Sequence, residues 1–348
     1  MISESDQEPF YKLLANATNV DQLRELLRCA KDAEPGEFKL SGTKESLVNQ
    51  LQKAVVRGHI LESALIDFLR DHEESGNQYI FYFVPTGVAE ASVIGDHMRL
   101  GNELLGMDWE AERQFPRFLE MPEQPTWADL RSDQDGNSGI QSWTLKWYEP
   151  KTTRSLISSS PDGDCIVERY RVERHRLVFV VKWHADQVLE IRLPRAISST
   201  DSKVALRRSL EHVWHMLGVS LPAEWFAPWD LKPAMRRLHS DRANNQKQYK
   251  IEATLYLDPQ MGTVSFASPP DEDVYSDPMR AAALQACQVR GLCTDLCVQW
   301  LPTSGTQALK APLDTRIGVY FDNCLLVPGR TTGRALDYVR YRLRDFIG

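Results

Sequence analysis

No stretch of this chain reaches the run of about eighteen apolar residues that a membrane span requires. The acidic start Met1-Ile2-Ser3-Glu4-Ser5-Asp6 also lacks a basic-then-apolar pattern, so an intracellular protein with no membrane partner is expected. Cysteine is sparse: Cys29, Cys165, Cys287, Cys293, Cys297 and Cys324 are scattered and include no C-x-x-C pair. That spacing argues against a disulfide framework and makes reduced thiols the expected state. Cys287, Cys293 and Cys297 cluster, but no fourth ligand stands at metal-like spacing to complete a zinc motif. The chain has no G-x-x-x-x-G-K-[ST], no G-x-G-x-x-G and no G-x-S-x-G. Phosphate-cradling nucleotide sites and hydrolases built on a nucleophile elbow therefore lose their usual signatures. His212 and His215 could share a helix face, but no third ligand is spaced to join them. No cofactor, metal ligand or catalytic residue is expected, and the protein is read as a non-enzyme.

What the chain does have is bulk and a segregated charge. With 348 residues, 42% hydrophobic content, nine Trp and eleven Tyr, it has the makings of two or three globular domains. The net charge of −7 misleads as a guide to partners. Residues 88–137 hold eleven acids against four Arg and carry the whole deficit. Elsewhere the balance turns basic: residues 203–250 hold nine Lys or Arg against four acids, and residues 330–348 five Arg against two Asp. A protein acidic overall can still present a basic face.

The stretch Leu23–Leu51 is the most informative. Leu23, Leu26, Leu27 and Ala30 form the apolar face of one amphipathic helix. After Pro35 and Gly36, either Ser41 or Thr43 caps a second helix whose apolar face is Leu47, Val48 and Leu51. Lys44 falls in the first turn, where the helix dipole disfavours a cation. A bound phosphate would offset that cost, held by Lys44 and the exposed amides around Gly42 and Thr43. The alternative is a plain helical hairpin in which glycine and lysine only shape a helix start. Residues 20–70 hold eight cations and eight acids, which favours that alternative, since electrostatic affinity for DNA needs a surplus.

Leu23, Arg24, Leu27, Leu40, Gly42, Lys44, Leu47 and Leu51 resemble the SAP motif, a helix, extended loop and helix module. The resemblance covers about thirty residues and has a longer connection, Asp32–Phe38, than that family has. It implies a grip on the DNA backbone.

Beyond this pair the chain reads as α+β, a helical bundle followed by two α+β units with antiparallel sheets. Residues 1–76 are expected to form the helical domain, 77–220 an α+β domain with an acidic insertion at 88–137, 221–245 a connector, and 246–348 a C-terminal α+β domain. Tyr79–Val84 is a buried strand. Ile140–Tyr148, Cys165–Val172, Leu177–Trp183 and Val188–Leu193 are read as four strands, with Ser158–Asp164 and Arg174-His175-Arg176 in turns. Arg169 and Arg171 share one face. With Arg174, Arg176, Lys146 and Lys182 they could make a basic strip on a sheet, interleaved with Trp143, Trp147, Tyr148, Tyr170 and Trp183. Sheet core is the default reading of those aromatics. The closing helix carries Leu336, Val339 and Leu343 inward, with Arg334, Arg340, Arg342 and Arg344 outward.

Lys44–Leu51, then Ser63-Ala64-Leu65-Ile66-Asp67, and the strand, turn, strand, helix order over Leu177–Leu217 are similar to the centromere protein N family. That resemblance implies a non-enzymatic reader of a nucleoprotein surface that also docks a protein partner. The expected function is DNA or nucleoprotein binding through Gly42, Thr43, Lys44, Arg169, Arg171, Arg174 and Arg176. One rival is a scaffold in a chromatin-type or defence complex without nucleic-acid contact. The other is a metal-dependent nuclease: Val180-Val181-Lys182 has valine where an acid should precede lysine, but Asp162, Asp164 and Glu168 lie on a neighbouring segment.

Overall fold

The computed structural model describes residues 4–348 apart from 88–91, 107–108, 110–116, 118, 120, 135–140, 196–202, 261 and 304–307. The chain divides into two compact units, residues 1–76 with 118–120 and the remainder. Among the described residues, no helix is long and apolar enough to cross a membrane.

The first unit is a bundle of α1 (Glu4–Ala17), α2 (Val20–Ala33), α3 (Lys44–Val56) and α4 (Glu62–Glu74). Asn19 and Gln22 close a capping box at the start of α2. The apolar stripes of the four helices converge: Phe10, Leu14, Leu23, Leu27, Leu47, Leu51, Leu65 and Leu69 are all buried in one cluster.

The second unit is an α+β fold on one eleven-stranded sheet. Its elements in chain order are β1 (Gly76–Pro85), α5 (His97–Leu104), β2 (Thr126–Gln134), β3 (Gln141–Asp162), β4 (Cys165–Trp183) and β5 (Leu189–Pro194). Then come α6 (Lys203–Leu217), β6 (Phe226–Pro228), α7 (Lys232–Ser240), α8 (Arg242–Asn245), β7 (Tyr249–Asp258) and β8 (Gly262–Ala267). The chain ends with α9 (Pro278–Arg290), β9 (Leu292–Trp300), β10 (Leu313–Ile317), β11 (Cys324–Arg330) and α10 (Gly333–Ile347). Strand order is β2-β3-β4-β5-β1-β11-β10-β9-β7-β8, with β6 added to β1. The sheet thus passes without a break through both stretches expected as separate α+β units. Residues 221–245, expected as a connector, supply β6 and α7, and α7 buries Ala234, Met235 and Leu238.

Period-two alternation in β1 explains why both faces of the sheet are covered. Ile80 and Tyr82 belong to a core with α7, α9 and α10; Tyr79, Phe81 and Phe83 belong to another with α5 and α6.

Several expectations change. The acidic stretch 88–137 contains α5 and β2, and Ala128 and Leu130 of β2 are buried. The strands expected at Cys165–Val172 and Leu177–Trp183 are one strand, β4, and Ser158–Asp162 belong to β3 instead of a turn. Cross-strand pairing continues unbroken through Pro150↔Arg176, Lys151↔His175 and Thr152↔Arg174, so Arg174 and Arg176 lie in a ladder, and only Gly163 and Asp164 turn the chain. Arg340, expected on the outer side of α10, is almost fully buried and donates to Asp186, which Arg344 also reaches at 2.7 Å. The helix lies with that turn against the β4–β5 connection, and the cation follows the carboxylate inward.

Breaking a buried ion pair from one side costs about 3–5 kcal/mol because the remaining charge stays desolvated. Asp186 keeps Arg344, so Arg340→Ala is expected at the low end, about 3 kcal/mol, by urea denaturation of the full chain. A loss below about 1 kcal/mol would show that the pair does not anchor α10.

Candidate nucleic-acid interface

At the mouth of α3 the backbone is set by Gly42, whose φ of +136° suits glycine alone. A Cβ there would also lie 3.1 Å from Ser46 Oγ. Of the two possible caps, Thr43 serves: its hydroxyl accepts from the Ser46 N–H at 3.3 Å. Lys44, half-buried in the first turn, forms no ion pair among the described residues. Glu45 beside it complements the dipole that Lys44 opposes.

Next to this mouth lies a groove of about 460 Å³ lined by Arg24, Lys31, Pro35, Phe38, Lys39, Leu40 and Ser41. Arg24 is held in place by donating to the Leu40 carbonyl and to Asp21, both at 2.9 Å. Lys31 and Lys39 have no ion-pair partner among the described residues. Charge counting hid this groove because it treats all acids alike. Glu34 and Glu37 are taken by Arg57 at 2.6 and 3.3 Å, and Asp67 by Arg70 at 3.2 Å, which leaves the lysines facing the groove without matching carboxylates.

The second basic feature is the outer part of β3 and β4. Strand β2 covers β3 only as far as Tyr148, and β5 covers β4 only from Val180. Beyond those positions the two strands form a ribbon whose outer edges pair with no other strand among the described residues. Fourteen residues from Tyr148 to Asp162 at about 3.3 Å each extend it by roughly 45 Å. All side chains from Cys165 to His175 are exposed. The ribbon carries six cations, Lys151, Arg154, Arg169, Arg171, Arg174 and Arg176, against five acids, Glu149, Asp162, Asp164, Glu168 and Glu173. Arg176 stacks on the Tyr148 ring at 4.3 Å. Arg169, Arg171 and Arg174 have no ion-pair partner among the described residues. Alternation puts Arg169 and Arg171 on one face with Lys151 and His175, and Arg174 and Arg176 on the other with Arg154 and Tyr170.

Other members of the expected strip leave it. Lys146 is buried, and Lys182 donates to Asp337 at 3.2 Å. Trp143, Trp147, Tyr148 and Trp183 are sheet core, and only Tyr170 is exposed, its hydroxyl donating to Glu168. Glu168 stands fourteen residues along β4 from Lys182, roughly 45 Å of strand, so these acids and that lysine do not meet around one metal.

Elsewhere the clustered titratable groups serve packing. His184, Glu190 and Asp337 bring donor atoms within 4.8 Å of one another, which is compatible in spacing with a cation. Their carboxylates are already engaged: Glu190 by Arg192 at 2.5 Å and His184 at 2.6 Å, Asp337 by Lys182. Burial opposes ionisation of Glu190, but Arg192 and the His184 hydrogen bond hold its carboxyl far below the usual range. His212 contacts Glu149 at 2.6 Å, which gives that histidine a partner within the fold. Cys293 and Cys297 have thiols pushed up by burial, Cys297 to about 11, so neither is a poised nucleophile.

His239 yields a pH test. It contacts the Tyr275 hydroxyl at 2.8 Å, and burial lowers its pKa to about 4 although Asp273 acts the other way. Between pH 6.5 and 4 the unfolded chain therefore binds a proton that the folded chain refuses. The stabilisation is complete above pH 6.5 and is lost as pH falls to about 4, by roughly 3 kcal/mol. Urea midpoints measured across that window should fall, and His239→Gln should flatten the slope by about one proton; an unchanged slope would contradict the burial argument. No protein-family model matches this sequence, and no curated protein matches it significantly.

Proposed function

We propose that this is a non-enzymatic, intracellular DNA- or nucleoprotein-binding protein that holds the phosphate backbone through the ribbon and through the mouth of α3. The observation that carries the reading is the ribbon, whose Arg169, Arg171 and Arg174 have no ion-pair partner among the described residues. Arginines without internal partners on an open two-stranded ribbon release DNA counterions at no cost in broken ion pairs. A ribbon of this kind also fits the major groove, which admits two antiparallel strands. Lys44 and the adjacent groove offer a second, independent set of phosphate contacts, in keeping with the SAP-like reading of that loop.

A protein partner is favoured by a separate observation. Leu156, Ile157, Ile166, Val167, Tyr170 and Val172 are exposed on the same ribbon. An apolar and basic surface together suits a nucleoprotein better than bare duplex, and an adaptor without DNA contact would use the apolar residues alone.

Salt titration of a fluorescent 20-bp duplex separates the two. Each phosphate contact contributes about 0.9 to the slope of log affinity against log salt. Arg169→Ala, Arg171→Ala and Arg174→Ala combined should lower the slope by about three units, and Lys44→Glu by about one, with thermal stability unchanged. If neither variant moves affinity or slope, backbone binding is wrong and the adaptor remains.

A further inference from the structure

The ribbon carries a feature that DNA contact does not require. Its β3 strand holds a serine run, Ser155, Ser158, Ser159 and Ser160, all exposed. The register sets two of these directly across from arginines: Ser155↔Arg171 and Ser158↔Arg169. A one-residue irregularity between Leu156 and Ser158 makes this possible, because it shifts Ser158 onto the same face as Ser155. One face of the ribbon thus presents two serine hydroxyls, each paired across the strands with an arginine that has no ion-pair partner among the described residues.

We propose that Ser155 and Ser158 are phosphorylation sites, and that a phosphate on either one captures the arginine opposite and switches off the backbone contact of this face; the switching half rests on the DNA-binding reading. A protein kinase acting in trans would supply the group. The serine Oγ attacks the γ-phosphorus of a nucleoside triphosphate, a new P–O bond forms, the β–γ P–O bond breaks, and nucleoside diphosphate and the hydroxyl proton leave. The ribbon is open to such an enzyme, since among the described residues neither outer edge has a neighbouring strand beyond Tyr148 and Val180. Directly opposed residues have Cβ atoms about 5 Å apart, within reach of a phosphoserine and a guanidinium in a charge-assisted pair.

The magnitudes favour a switch over a small adjustment. The ribbon's six cations exceed its five acids by one. One phosphate brings about −1.5 to −2 at pH 7, which exceeds that surplus and reverses the ribbon's charge. Ser159 and Ser160 pair with Glu168 and Val167, so a phosphate there would find no cation opposite.

Three measurements on the full chain decide the matter. Phosphopeptide mapping of the protein from its own cells should place phosphate on Ser155 or Ser158; its absence from both overturns the proposal. With phosphoserine installed at position 158, the second phosphate pKa, about 6 when unperturbed, should be lowered in a ³¹P titration and should recover in Arg169→Ala. A phosphate that titrates alike in both chains also overturns the proposal, whatever happens to DNA. The same phosphorylated chain should bind the 20-bp duplex at least tenfold more weakly at 100 mM salt, with a slope lower by about one. Unchanged binding in a chain whose unmodified form does bind removes the switch. Failure of the unmodified chain to bind at all counts against the DNA reading, and removes the switching role with it, while the ³¹P result still reports on the serine–arginine pair.

Discussion

Five consecutive side chains, Tyr79 to Phe83, are buried in a strand that has core on both sides. Because alternate residues of a strand point opposite ways, such a run is stable only if helices cover both faces of the sheet. β1 therefore needs α6 on one side and α7 with α10 on the other. It also joins the strands before it in the sheet order to those after it, by way of β11. The Asn323 side chain donates to the Tyr82 carbonyl at 2.9 Å, and the Tyr82 amide donates to the Asn323 carbonyl at 3.0 Å. A substitution that flattened this central strand would loosen both cores together. The ribbon lies far along β3 and β4 from that strand, so it is the part of the sheet least constrained by it.

Much of this was legible in the sequence, and the misses have physical causes. The α+β class followed from period-3.6 stripes and β-branched runs, and the start of α3 was readable to within two residues because Ser41 and Thr43 are both capping residues, of which Thr43 serves. The ribbon was misread because serine, glycine and aspartate clusters usually mark turns, and because Arg174-His175-Arg176 looks like one. Turn statistics reflect what a typical strand must bury, and this pair of strands buries nothing on its outer half, so polar residues carry no penalty there. Arg340 was misplaced for the converse reason. Helical spacing put it on the polar side, but a cation follows an available buried carboxylate, and Asp186 lies 154 residues away in the sequence.

The basic candidates separate along the same line. Lys146 and Lys182 sit on the covered part of the sheet, where a cation persists only with a neighbour to neutralise it or an aromatic face to rest on; Lys182 has Asp337, and Lys146 lies over Tyr148. Arg169, Arg171 and Arg174 sit where no such requirement exists and have no ion-pair partner among the described residues. A sequence cannot make this distinction, since it turns on where β2 and β5 stop. The groove beside α3 was obscured in the same way, by acids that the fold assigns to Arg57 and Arg70.

One other account of the ribbon's cations has to be weighed. Open strand edges invite pairing with other chains, and proteins place charges on them as protection, above all where apolar residues such as Ile166, Val167 and Val172 are exposed. Protection alone is indifferent to sign, and acids would serve as well. The acids here are divided, Asp162 and Asp164 at the tip and Glu149, Glu168 and Glu173 on the shaft, while all six cations run along the shaft on both faces. A two-stranded ribbon without further support is only marginally stable in water. A ribbon of roughly 45 Å that buried nothing in any state of the protein would have little to hold its outer half together. Under the proposed function, a partner carrying phosphates and a protein surface would cover the arginines and the exposed apolar residues, and that burial would add to the cross-strand pairing that is the outer half's own support.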